Sequence, residues 1–91
     1  MTRKEIENVI NHINEKQLWI NRLDRSIERH EKANPVDERK IADLEERSYS
    51  ACLERNGMIW ALRCATFGGI AVKQKTDSET PCGGLWYWES V

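Results

Sequence analysis

Residues 6–27, IENVINHINEKQLWINRLDRSI, carry the apolar pattern that decides the fold. Isoleucine recurs at every seventh position of this stretch, and apolar residues also stand three or four positions away from it. The repeated isoleucines are Ile6, Ile13, Ile20 and Ile27. Residues at these spacings share one face of an α-helix. Because residues 2–33 contain neither glycine nor proline, the pattern predicts one helix over about residues 3–32.

Local signals mark both ends of this helix. Thr2 followed by Glu5 is the pattern of a capping box, in which each side chain bonds the other residue's backbone N–H. At the far end, Asn34-Pro35 stops the helix and starts the next one. We expect Asn34 to be the N-cap of the second helix and Pro35 to occupy its first position.

A second apolar stripe predicts a helix over about residues 35–66. Its residues are Ile41, Leu44, Ala51, Met58 and Leu62. Asn56-Gly57 also fits the end of a helix. A break at Gly57 is therefore the alternative to one continuous helix.

The two predicted helices complement each other when the chain folds back at Asn34 into a long antiparallel hairpin. Ile20 then lies opposite Ser48, so large and small side chains meet across the seam as close packing requires. Lys16 and Arg55 interrupt the two stripes with charge. We therefore predict that the helix faces around Lys16 and Arg55 are partner-binding positions.

The last third of the chain differs in composition from the rest. Residues 57–91 contain all five glycines and five of the seven aromatic residues. Strand-forming residues predict short strands at about residues 70–75 and 85–89, arranged as a β-hairpin or as an extended tail. Because two strands are not stable alone, this segment must pack on the helices. We expect Trp60 and Phe67 to be its docking partners.

The composition of the whole chain indicates one small domain over residues 1–91. Hydrophobic residues make up 40% of it and charged residues 32%, which is typical of a folded domain with a solvated surface. We expect a mainly α-helical fold, with the helical hairpin over residues 1–66 and a glycine- and aromatic-rich segment over residues 67–91. The sequence shows no membrane span and no secretory signal, so we expect a cytoplasmic protein.

Side chains that carry catalysis or bind metals are few and scattered in this sequence. Cys52, Cys64 and Cys82 form no C-x-x-C pair, and His12 and His30 lie far apart on the first predicted helix. Neither Gly-Gly pair fits a phosphate-binding loop. We therefore expect no enzymatic activity, no metal and no cofactor.

Trp86, Tyr87 and Trp88 form the least ordinary feature of the sequence. Tryptophan and tyrosine dominate the energetics of protein interfaces. We therefore predict that these three residues, together with Lys16 and Arg55, bind a partner. Two alternatives stay open: the aromatics cover the core, or they stack on nucleic-acid bases beside two nearby lysines.

The expected function is stoichiometric binding of another protein or protein complex, as an adaptor or a phage-type inhibitor. The alternative is an accessory protein that binds nucleic acid, which the net charge of −1 disfavours. The all-isoleucine stripe, widened by Trp19, exceeds what one partner helix covers. Because open apolar stripes mark interfaces, we also predict a homodimer.

Overall fold

The computed structural model describes residues 1–76 and 83–91, which form two helices followed by two strands. The elements are α1 (Arg3–Glu31), α2 (Glu38–Ala65), β1 (Ile70–Gln74) and β2 (Trp86–Ser90). Helices α1 and α2 pack together as a hairpin, and β1 pairs with β2 as an antiparallel two-stranded sheet. The predicted fold class is confirmed, and the C-terminal segment is a β-hairpin rather than an extended tail.

The start of α1 is the capping box that the sequence predicts. The Glu5 backbone N–H donates to Thr2 Oγ1 at 3.2 Å, and the Thr2 backbone N–H donates to Glu5 Oε1 at 3.3 Å. The Thr2 hydroxyl also donates to the same carboxylate at 3.0 Å. These bonds satisfy amides that have no partner within the helix.

The capping box predicts a measurable effect of the Thr2→Ala substitution on Glu5. The hydrogen bond from the Thr2 side chain, followed by that from its backbone, lowers the pKa of the Glu5 carboxyl. Such a carboxyl stabilises the helix above its unfolded-state pKa, and the contribution is lost as the pH falls through the lowered value. In an NMR titration we expect Thr2→Ala to raise the Glu5 pKa and Thr2→Ser to leave it low. An unchanged pKa in the alanine variant would rule out the side-chain bond as the cause.

The start of α2 differs from the prediction. The helix begins at Glu38 rather than Pro35, and its N-cap is Asp37, whose Oδ1 accepts the Lys40 N–H at 3.2 Å. Asp37 offers the same capping chemistry as Asn34. Because the cap is Asp37, residues 32–37 form the link between the two helices. Links of this length are usual between packed antiparallel helices.

Helix α2 runs without a break through Gly57, so the prediction of one continuous helix is confirmed and the alternative of a break there is wrong. It ends where Phe67 and Gly68 adopt left-handed backbone angles, with φ values of 54° and 73°. The Gly68 N–H then donates to the Arg63 carbonyl at 3.1 Å. This closing turn redirects the chain into β1 and matches the predicted end near residue 66.

The main core lies where the amino half of α1, the carboxyl half of α2 and the β-hairpin meet. Its buried residues are Ile6, Ile10, Ile13, Ile59, Leu62, Ile70 and Val72, with Val9, Met58, Trp86 and Trp88 packed against them. Further along, Ile20 and Leu23 are buried on α1, as are Leu44 and Ala51 on α2. The β-hairpin thus covers the side of the α1 stripe that includes Ile10, whereas Trp19, which widens the stripe on its other side, is 44% exposed.

The contacts between the helices show that each residue of α1 lies opposite a residue of α2 further along the chain than predicted. Ser48 Oγ donates to Asp24 Oδ1 at 2.8 Å, so Ser48 lies near Asp24 rather than opposite Ile20. The later start of α2 accounts for the direction of this shift. The seam of α1 also differs by one position at two places, because Ile10 and Gln17 are buried while Ile13 and Ile20 stay buried as predicted.

Candidate interaction surfaces

Trp86 and Trp88 lie on the face of β2 that packs against the core, and both side chains are partly buried. Tyr87 alternates to the other face of the strand, opposite Lys73 on β1, and is also partly buried. The prediction that Trp60 and Phe67 are the docking partners of this segment is wrong, because both side chains are mostly exposed. Neighbouring positions on α2, including Ile59, supply the core contact instead.

Side-chain amides on α1 hold the outer edge of the β-hairpin. The Trp86 backbone N–H donates to Asn14 Oδ1 at 2.6 Å, and Asn14 Nδ2 donates to the Trp86 carbonyl at 3.0 Å. Two helical turns further on, Asn21 Nδ2 donates to the Gly83 carbonyl at 2.8 Å. Asn14 therefore satisfies backbone groups of the edge strand β2, and Asn21 satisfies one in the turn before it.

Gln17 lies between these two asparagines and is fully buried. Its Oε1 accepts the Trp86 indole N–H at 3.0 Å and the Arg55 Nη1–H at 2.7 Å. Its Nε2 donates to Asn21 Oδ1 at 2.9 Å. One polar side chain thus joins α1, α2 and β2, and we call this group of Gln17, Asn21, Arg55 and Trp86 the Gln17 network.

Arg55, a predicted partner-binding residue, belongs to this network. Its guanidinium lies 5.5 Å from the centre of the Trp86 ring, within range of a cation–π interaction, besides donating to Gln17. The structure therefore brings Arg55 and Trp86 together, as contacts within the fold. Arg3 holds Trp88 similarly, with its guanidinium 5.7 Å from the ring centre.

Lys16, the other predicted helix-face residue, lies away from the aromatic segment. Its Nζ is 2.6 Å from a carboxylate oxygen of Glu54, and its side chain is partly buried. A lysine stem packed at a seam with its ammonium at the edge is the usual arrangement for such a position. The pair joins α1 to α2, and sequence reasoning did not anticipate Glu54 as the partner.

The lysines considered for nucleic-acid contact are on β1 and just after it. The Lys73 ammonium donates to Glu89 Oε2 at 2.9 Å across the sheet, and this bond raises the pKa of Lys73. Lys75 is exposed beyond the end of β1. The cross-strand ion pair places a carboxylate beside Lys73, which weakens the case for a phosphate contact at that position.

The side of α2 that faces away from α1 carries a row of exposed apolar side chains. Tyr49, Leu53 and Trp60 are 66%, 54% and 67% exposed, and Phe67, just beyond the helix, is 98% exposed. Steps of four and seven place the first three on one face of the helix. We call Tyr49, Leu53, Trp60 and Phe67 the outer face of α2.

Sequence reasoning missed the outer face because it assigned only one apolar stripe to α2. The buried residues of α2 are Leu44, Ala51, Ile59 and Leu62, which lie on the opposite side from the outer face. The signal was present in the sequence: apolar residues occur on both sides of α2. A helix that is apolar on two sides must meet two neighbours or expose one side.

A second missed feature is a basic stretch on α1. Arg22, Arg25 and Arg29 lie together with Glu28 and Lys32 on one surface of α1. Lys32 and Glu28 neutralise each other at 2.9 Å; this bond raises the Lys32 pKa and lowers that of Glu28. Within the described part of the chain, no carboxylate lies within 4.0 Å of the three arginine guanidiniums. Half-exposed Leu18 and Trp19 adjoin them.

Among residues 1–76 and 83–91, no three His, Cys, Asp or Glu side chains are grouped closely enough to hold a metal ion. Cys52 and Cys64 are free thiols, and Cys82 lies outside the described residues. Neither described helix combines the length and the apolar character needed to cross a membrane. Comparison with known proteins found no matching protein family, no matching curated protein and no matching solved structure.

Proposed function

We propose that this protein is a non-enzymatic binding module that acts stoichiometrically on another protein, as an adaptor or an inhibitor of a larger complex. The observation that supports the proposal is the outer face of α2, where four large apolar side chains are more than half exposed. Exposed apolar patches on a protein surface mark protein–protein interfaces. Tyrosine and tryptophan are also the residues most enriched among interface anchors.

The proposal moves the interface from the C-terminal aromatics to α2. Trp86 and Trp88 pack on the core, and the indole N–H of Trp86 is bonded to Gln17. A side chain with these contacts within the fold stabilises the fold and has little surface left for a partner. Trp60 and Tyr49 instead leave most of their surface in water, where a partner can bury it.

Nucleic-acid binding is the second candidate function, and the three arginines of α1 favour it. Arg22, Arg25 and Arg29 follow one face of the helix in steps of three and four. Arginine binds phosphate oxygens in a bidentate manner, and Trp19 beside the row offers a surface for base stacking. Binding of this kind would weaken steeply with added salt, whereas docking on the outer face of α2 would not.

The protein-binding role predicts that a charge on the outer face of α2 abolishes capture of the partner. Tagged wild-type protein and the Trp60→Glu variant would be used as baits in extracts of the native host, with bound proteins identified by mass spectrometry. Trp19→Glu is the matched control, because it places the same substitution on an exposed tryptophan of α1. We expect a partner that wild type and Trp19→Glu retain and Trp60→Glu loses.

Two other results of this experiment would redirect the proposal. Equal capture by all three baits would exclude the outer face of α2 as the interface. Salt-sensitive capture of nucleic acid that Trp19→Glu and Arg25→Ala abolish would favour the second candidate function. Circular dichroism of each bait confirms that loss of capture does not reflect loss of helix.

A further inference from the structure

We infer that the outer face of α2 binds a second copy of this chain, with the two α2 helices packed antiparallel about a two-fold axis near Leu53 and Asn56. The inference rests on the protein-binding role proposed above for the same face and names its occupant. The first observation in favour of this dimer is that the outer face carries no charged side chain where the two-fold axis would pass. From Tyr49 to Trp60, the side chains on this face are Tyr49, Leu53, Asn56 and Trp60.

Charges at the two ends of the outer face complement each other in the antiparallel arrangement. Glu45 and Arg63 are eighteen residues apart, which is about five helical turns, so both lie on the same flank of the face. In an antiparallel helix pair, the same flanks of the two helices meet. Glu45 of each copy therefore lies beside Arg63 of the other, and the two-fold axis generates this ion pair twice.

Both members of this proposed ion pair are available in the single chain. Glu45 is exposed, and within residues 1–76 and 83–91 no cationic nitrogen lies within 4.0 Å of its carboxylate. Arg63 is also exposed and donates one Nη2–H to the Val72 carbonyl at 3.2 Å. A guanidinium has five N–H groups, so Arg63 keeps donors for a carboxylate.

The same register matches large side chains with partners of suitable size. It brings Tyr49 of one copy against Trp60 of the other, and it places Leu53 beside Asn56 close to the axis. Phe67, just past the end of α2, falls near the small side chain of Ala42. One alignment thus satisfies the charges and the shapes together, as a symmetric interface requires of a single surface.

The exposed aromatic side chains supply about half of the area that a standard dimer interface buries. Tyr49, Trp60 and Phe67 are 66%, 67% and 98% exposed. Burying what remains exposed of three aromatics removes roughly 350–580 Å² per copy, at about 150–250 Å² for each complete side chain. A standard interface buries about 800 Å² per partner. The aromatics alone therefore supply around half of it, and the flanking positions along a helix of this length supply more.

The first test measures the mass of the protein in solution by sedimentation equilibrium across the micromolar range. We expect wild type to approach twice its 10.6 kDa chain mass with rising concentration. Trp60→Glu is expected to remain at the mass of one chain with unchanged helical circular dichroism, and Trp19→Glu to behave as wild type. A wild-type protein that stays monomeric throughout, or a dimer that tolerates Trp60→Glu, would overturn the inference.

The second test checks the register through a charge exchange. Glu45→Arg and Arg63→Glu should each weaken self-association by about tenfold or more, because each places like charges together twice in the dimer. An equimolar mixture of the two variants restores both ion pairs, so it should associate as tightly as wild type. A mixture no tighter than either variant alone would overturn the antiparallel register. Thermal melting of Arg63→Glu establishes that loss of its bond to Val72 leaves the fold intact.

Failure of this inference is distinguishable from failure of the proposed function. If wild type is monomeric and Trp60→Glu still loses its partner in extracts, the outer face of α2 binds a different protein. If wild type is monomeric and Trp60→Glu loses no partner, both proposals fall. If the dimer forms through this face, the protein that Trp60→Glu loses in extracts is this chain itself, and any adaptor or inhibitor contact lies outside the outer face of α2.

Discussion

Replacing Trp86 and Trp88 together by alanine is expected to lower the free energy of unfolding by about 4 kcal/mol or more, since each buried tryptophan contributes about 3–5 kcal/mol when it is fully enclosed. Both rings pack on the core cluster, which includes Ile10 and Leu62, and both are partly buried. Their loss would expose that cluster and release the β-hairpin from the helices. Chemical denaturation followed by far-ultraviolet circular dichroism would measure the change.

Tyr87→Ala is the control for this double substitution. Tyr87 occupies the same strand but the opposite face, with Lys73 as its cross-strand neighbour. We expect a loss of less than about 1 kcal/mol, in line with a cross-strand contact on a sheet surface. If the double variant instead keeps the wild-type denaturation midpoint and loses a bound partner, Trp86 and Trp88 form a recognition surface and contribute little to the core.

The features of the fold that sequence reasoning predicted correctly depend on local or strongly periodic signals. The capping box of Thr2 and Glu5 involves residues three positions apart, so no tertiary information is needed to find it. The repeated isoleucines define a helix whatever lies against them. Local sequence does not decide where α2 begins, because Asn34 and Asp37 are both able to cap a helix. Only the geometry of the reversal chooses Asp37.

The features that were missed depend on the rotation of each helix about its axis. A turn of one position exchanges Lys16 for Gln17 at the seam of α1 and leaves Lys16 at its edge. On α2, the burial of Ile59 turns Trp60 outward, away from the β-hairpin. Hydrophobicity gives no reason to bury Gln17, whose burial depends on hydrogen-bond partners from α2, from β2 and from the next turn of α1. Those partners are known only once the elements are assembled.

Gln17 is expected to show the second large effect on stability. Gln17→Ala removes the acceptor of the Trp86 indole N–H and of Arg55, and it leaves an empty volume at a fully buried position. We expect the free energy of unfolding to fall by about 2–5 kcal/mol, because an orphaned buried donor costs about 1–3 kcal/mol and the cavity adds to it. Denaturant titration would measure this loss.

Two further substitutions separate the hydrogen bonds of Gln17 from its volume. Gln17→Leu fills similar space but accepts no hydrogen bond, so we expect it to recover little of the loss. Gln17→Glu keeps oxygen acceptors for Arg55 and the Trp86 indole but cannot donate to Asn21, so we expect a loss smaller than that of Gln17→Ala but not wild-type stability. If Gln17→Leu matched wild type, packing alone would account for the burial of this side chain.

A double-mutant cycle with Trp86→Phe tests whether the Gln17 network acts through the indole N–H. Trp86→Phe removes the donor that Gln17 Oε1 accepts at 3.0 Å. If an orphaned indole N–H causes part of the loss in Gln17→Leu, Trp86→Phe should cost less in that variant than in wild type, because no donor remains to be left unpaired. Additive losses would mean that Gln17 stabilises the helix pair through Arg55 and Asn21, and that Trp86 is held in place by its packing and by the backbone bonds of Asn14.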